Sequence, residues 1–225
     1  MRRIGLVLGL LASCGEVKNG AEDAAPPGGD AGNPDTPIDM PPPVNGTPAL
    51  MVNANGGTIG LCATGTFGWH FTTQQAIEIV ALSVFDVAPQ GLLDKHDVGV
   101  FKLDGTLLAR ATVDVTTPDQ PNGFHKVPIA PLPLGPNQTF VIAMSHPGQD
   151  HTTVPGTCSD VFATTDNDPA AISVSNAIIY KGVASEDTTN APDPTALVFP
   201  NQFPPQGNPP FPFRIGASFE FAAGN

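Results

Sequence analysis

From Ala49 onward, short apolar runs rich in β-branched and aromatic residues alternate with clusters of Gly, Pro, Asp and Asn. The runs are ALMVN (49–53), FGWHFT (67–72), IEIVALSVFDV (77–87), DVGVFKL (97–103) and TLLARATV (106–113), then TFVIAMS (139–145), AISVSNAIIY (171–180) and RIGASFEFA (214–222). Their lengths and composition predict strands rather than helices. Asp104-Gly105 falls between two of them, a pairing that favours a hairpin. Thr72-Thr73-Gln74-Gln75 has the spacing of a capping box and would open a helix. The Ile/Val-rich segment after it instead predicts a strand buried on both faces. Many short strands with frequent turns predict an all-β domain over residues 49–225, a single β-sandwich of jelly-roll-like form.

Residues 14–48 have another character. GEVKNGAEDAAPPGGDAGNPDTPIDMPPPVNGTP carries almost no large apolar side chain, so it cannot bury enough surface to offset its ordering entropy. It is expected to be a disordered tether, reaching on the order of 100 Å if extended as polyproline II.

Before it, Met1-Arg2-Arg3 precedes an uncharged segment from Ile4 to Ala12. Two arginines and a short apolar run are the first two parts of a secretory signal, here residues 1–13, and the run is too short to cross a bilayer. Leu11-Ala12-Ser13-Cys14 resembles a bacterial lipobox, which implies cleavage before Cys14 and acylation of its sulfur. With Gly15 rather than an aspartate after it, the expected location is the outer membrane of a Gram-negative cell, with the lipid anchor holding the protein to the membrane. Three cysteines then divide sensibly: Cys14 takes lipid, while Cys62 and Cys158 are expected to pair in an oxidising compartment. That bridge would stabilise the fold by roughly 4–5 kcal/mol in the chain-entropy description.

Charge narrows the partners. The chain holds 9 Lys and Arg against 21 Asp and Glu, and signal cleavage removes Arg2 and Arg3. Such an acidic surface repels phosphate backbones, so nucleic acid is excluded as a partner. The 24 glycines, 26 prolines and 13% charged residues suit an extracytoplasmic β-domain.

Several segments together resemble an uncharacterised family of secreted bacterial β-domains, related to DUF4082-like segments and often carrying PEP-CTERM sorting tails. The matching stretches are Gly68–Phe71, Leu82–Asp86, Gly91–Val100, Gly105–Val113, Val127–Pro131, Leu134–Ile142 and a closing Gly216–Phe221. The expectation for this chain is an anchor at the lipobox rather than such a sorting tail. The resemblance implies a β-fold and no particular activity. It also implies a recurring histidine at His96, as expected for a fixed hydrogen bond.

Candidate chemistry is scattered. Phe67, Trp69 and Phe71 alternate onto one strand face, either as core or as a platform for a sugar ring. Asp94-Lys95-His96-Asp97 offers two carboxylates and an imidazole for metal binding or acid–base work, or simply a turn histidine. Trp69 and His96 are therefore the candidate ligand contacts. His146, Asp150 and His151 lie in a Pro/Gly loop whose spacing fits no standard zinc motif. Asp166, Asn167 and Asp168 supply hard oxygens for a structural calcium ion, although Asp and Asn are also ordinary turn residues. Neither a G-x-S-x-G elbow, an H-E-x-x-H pair nor a phosphate-binding glycine loop occurs. The expectation is a lipid-anchored, non-catalytic module that binds a glycan, another extracellular polymer or a surface protein, with no cofactor beyond that calcium. The alternative is an extracytoplasmic hydrolase with a His/Asp site that no motif reveals.

Overall fold

Why this chain forms sheets is visible in β5 (Ile77–Phe85), whose nine residues are buried on both faces except for the partly exposed Glu78. A strand can satisfy such burial only between paired neighbours, and β5 lies inside an antiparallel sheet ordered β1 (Thr47–Pro48), β14 (Ala217–Ala223), β5, β8 (Phe124–Leu134). No helix opens at Thr72; the ladder simply continues to Thr73, whose hydroxyl donates to the Gly135 carbonyl. The computed structural model describes residues 46–53, 57–60, 63–86, 91–120, 122–148, 161–164, 172–204 and 214–224.

A second, five-stranded antiparallel sheet faces the first. Its order is β12 (Ile178–Asp187), β4 (Gly65–Thr73), β9 (Thr139–His146), β6 (His96–Lys102), β7 (Leu107–Val113). Two small sheets complete the described strands: β11 (Ile172–Val174) with β2 (Leu50–Val52), and β13 (Arg214–Ile215), β10 (Val161–Thr164) and β3 (Gly57–Gly60). The fold is an all-β sandwich, and no helix occurs among the described residues.

The core lies between the two large sheets. Trp69 and Phe71 from β4 meet Phe219 from β14, with Ile79, Leu82, Val98, Ile142 and Met144 around them, all at 0–1% exposure. The Trp69 ring stacks on Phe219 at 5.8 Å and 14°, and its Nε1–H donates to the Ala217 carbonyl across the sandwich at 2.8 Å. Apolar burial at this density is the dominant stabilising contribution, and the indole bond adds registry between the sheets.

The predicted β6–β7 hairpin forms. Lys102 N–H donates to Thr106 O, Gly105 N–H donates to Lys102 O, and Gly105 takes φ +88°, a conformation glycine adopts without strain. The predicted run 171–180 is instead two strands, because Ser175-Asn176-Ala177 turns and Ile178 N–H donates back to Ser175 O. Strand β8 carries Pro128, Pro131 and Pro133, which is tolerable because it is an edge strand and needs donors on one side only.

Candidate functional site

Alternation along β6 and β9 determines what the histidines can do. Val98 opposes Met144, so the same register carries His96 beside His146. Both are fully buried, and their rings lie 5.9 Å apart at 25°. Nδ1 of His96 is 2.8 Å from the Ser145 carbonyl, to which it donates. Nδ1 of His146 is 3.0 Å from the Ala63 carbonyl and 3.1 Å from the Gly148 nitrogen, donating to the first in one tautomer and accepting from the second in the other. Phe67 closes on His146 edge to face at 5.9 Å.

Ser145 sits one residue away from His146 and therefore on the opposite face of the sheet. Its hydroxyl accepts the Asp97 backbone N–H at 3.1 Å. Asp97, on that same outer face, receives Arg110 Nη2 and Thr112 Oγ1. Burial pushes the Asp97 carboxyl up, but the hydrogen bonds from Arg110 and Thr112 outweigh it and hold the pKa below its ordinary value. His96, Ser145, His146 and Asp97 are thus brought together in space and split between two faces of one sheet. An imidazole aimed at a backbone carbonyl, with the hydroxyl behind the sheet, is not a nucleophile–base pair. Among the described residues no group of three or more His, Cys, Asp or Glu is placed to hold a metal ion, and Asp94, His96 and Asp97 do not converge.

Burial also settles Trp69, whose ring has 0% exposure and is covered by Phe219, Phe71 and Tyr180. It is core and presents no face to a sugar, and His96 likewise touches no solvent. These two candidate contacts are sealed because both side chains lie on the inward parity of their strands. Burial pushes the phenol pKa of Tyr180 well up. Cys14, Cys62, Cys158, Asp150, His151, Asp166, Asn167 and Asp168 lie outside the described residues.

The outer face of the five-stranded sheet carries a surface that sequence reading did not find. Phe101, Val141, Ala143 and Ala184 form a second buried cluster there, and Leu197 and Phe199 pack on it. They belong to a strap, residues 189–204, that follows β12 and runs back over the sheet. Val198 N–H donates to Thr66 Oγ1 at 3.1 Å, and Ser185 and Gln202 exchange two backbone hydrogen bonds of 3.0 Å. Gly99 leaves room for the crossing, since a Cβ there would lie 2.8 Å from Leu197 Cδ2 and 2.9 Å from Leu107 Cδ1. Phe199 rests on Phe101 at 5.8 Å and reaches Phe203 at 6.1 Å. Phe203 is 38% exposed and Leu107 45%, so Leu107, Leu197, Phe199 and Phe203 form a partly open apolar band. The available signal was two phenylalanines four apart among prolines, in a segment whose polarity would otherwise make it a plain loop.

Elsewhere, Lys126 Nζ grips both oxygens of Glu220 at 2.9 and 3.0 Å beside a cavity of about 10 Å³ lined by Ser83, Asn122 and Ser218. That is room for one water and excludes a sugar.

Compared with curated proteins, the chain matches none. A match to the family described as "Domain of unknown function (DUF4082)" spans residues 61–196, more than half of the chain and all of β4 to β12. The chain belongs to that family.

Proposed function

We propose that this protein is an exported lipoprotein that presents a non-catalytic binding sandwich on a tether anchored through Cys14, with a glycan or another extracellular polymer as its ligand. The observation that carries the binding reading is the apolar band of Leu107, Leu197, Phe199 and Phe203 on the outer face of the five-stranded sheet. Exposed aromatic and aliphatic surface held by a rigid sheet suits the apolar faces of sugar rings or a polymer chain, and the acidic chain favours a neutral or cationic one. Several acyl chains at Cys14, at about 0.8 kcal/mol per buried methylene, would hold the domain at the membrane.

A Cys62–Cys158 bridge belongs to the same reading. Gly60 opposes Val161 at the end of the β3–β10 ladder, and the cysteines lie two residues beyond the first and three before the second. The hydrolase alternative draws less support, because His96 and His146 are fully buried and their Nδ1 atoms lie against backbone carbonyls.

The test is a panel of glycans and extracellular polymers presented to the detergent-solubilised full-length protein. Retention on at least one, weakened about tenfold or more by Phe203→Ala, is expected if that ring is an anchor. No retention on any, or retention indifferent to Phe203→Ala, would remove the proposal's basis.

A further inference from the structure

We propose that His70 is the catch of a pH-sensitive strap: with its imidazole neutral the Phe203 end of the strap lies on the sheet, and protonation releases that end.

The argument begins with the position of the ring. His70 lies on β4 opposite Gly182, where the β12 register shifts between Tyr180 and Gly182. The backbone of Gly182 and Val183 hydrogen-bonds the imidazole. Its other nitrogen, Nδ1, is buried and has no hydrogen-bond partner in the structure. A bare lone pair there is tolerable, whereas a buried N–H⁺ without an acceptor is costly. Among the described residues the charged group acting on the ring is Lys181, also a cation; the cross-strand neighbour on β9, Val141, and the strap contact, Phe203, carry no charge. Burial first and Lys181 second hold the imidazole below its ordinary pKa of 6.5, outweighing the Val183 and Gly182 backbone hydrogen bonds, which favour the charged ring.

Protonation therefore favours a ring turned out toward water, and Phe203 is in the way. Its ring stands against His70 at 5.1 Å and 83°. The two ends of the strap are held differently. Leu197, Val198 and Phe199 are seated in the second cluster and on Thr66. Beyond them, the described holds are the Ser185–Gln202 bonds, the Phe199 contact and His70 itself. Among the described residues, release is thus confined to 201–204. The sign follows from linkage: a base with a depressed folded pKa favours closure fully above pH 6.5 and loses that contribution as pH falls through the folded value.

This inference does not rest on the binding reading, because it can be measured without a ligand. Hydrogen exchange on the full-length protein, corrected for intrinsic rates, is followed between pH 7.5 and 5.5. The Gln202 and Ser185 amides are expected to lose more protection than Val198, by at most about tenfold, because pH 5.5 lies one unit below the ordinary imidazole pKa of 6.5 and one unit is a factor of ten. In His70→Phe, and independently in His70→Thr, that loss should vanish while Phe71 and Ile142 amides report an intact core. In the wild type, the His70 ring proton should titrate with the same midpoint as the exchange. Unchanged protection overturns the proposal, as does an equal loss in both variants. So does increased protection at low pH, the mark of an imidazolium settling on the Phe203 ring.

Discussion

Trp69→Phe probes the sandwich at its centre. The substitution keeps an aromatic ring against Phe219 and Phe71 but removes the donor to the Ala217 carbonyl. With the site fully buried, the lost part of the indole, about 40 Å³, leaves a cavity costing about 1 kcal/mol at roughly 24 cal/mol per Å³. Removing the bonded donor in a buried setting adds about 1–3 kcal/mol. The expected loss is about 2–4 kcal/mol, a large part of the 5–15 kcal/mol typical of a domain. Denaturant unfolding followed by far-UV circular dichroism measures it, since the variant has no tryptophan left for fluorescence. The midpoint should fall with the slope unchanged. A loss under about 0.5 kcal/mol, typical of surface substitutions, would refute the buried, hydrogen-bonded placement.

Three further outcomes follow from the same packing. Tyr180 is the single tyrosine and its phenol is pushed up by burial, so the folded protein should show no phenolate absorbance near pH 10 while the urea-unfolded chain does; titration at the ordinary value in both states would contradict that burial. A chain ending at residue 196, where the family match stops, lacks β14 and with it Phe219 and Phe221 from between β1 and β5; it should lose cooperative unfolding, and a sharp transition like that of the full chain would show β14 to be dispensable. Protein isolated without reductant and then denatured should show no free thiol at Cys62 or Cys158, and two reactive groups there would exclude the bridge proposed above.

Strand period and turn chemistry made much of the fold legible. Ile77–Phe85 read as a strand buried on both faces, and Asp104-Gly105 read as a hairpin, because both signals are local. Strand β8 escaped because three prolines contradict strand propensity, and only its edge position makes them harmless. Run 171–180 was read as one element because Ser175-Asn176 looks like a polar interruption, whereas its turn sends β11 and β12 to different sheets. The candidate site was harder for a different reason. Whether Trp69 and His96 face in or out is a matter of strand parity against a partner sheet, which a single sequence leaves open. Phe203 is recognisable only once the strap is seen lying over Gly99 and Phe101.

The binding account and its hydrolase rival separate in one paired measurement on a shared set of glycans and polymers: retention and hydrolysis product, for the wild type, Phe203→Ala and His146→Ala. The binding account predicts retention that Phe203→Ala weakens, with no product formed by any of the three proteins. Product released by the wild type and abolished by His146→Ala would contradict it.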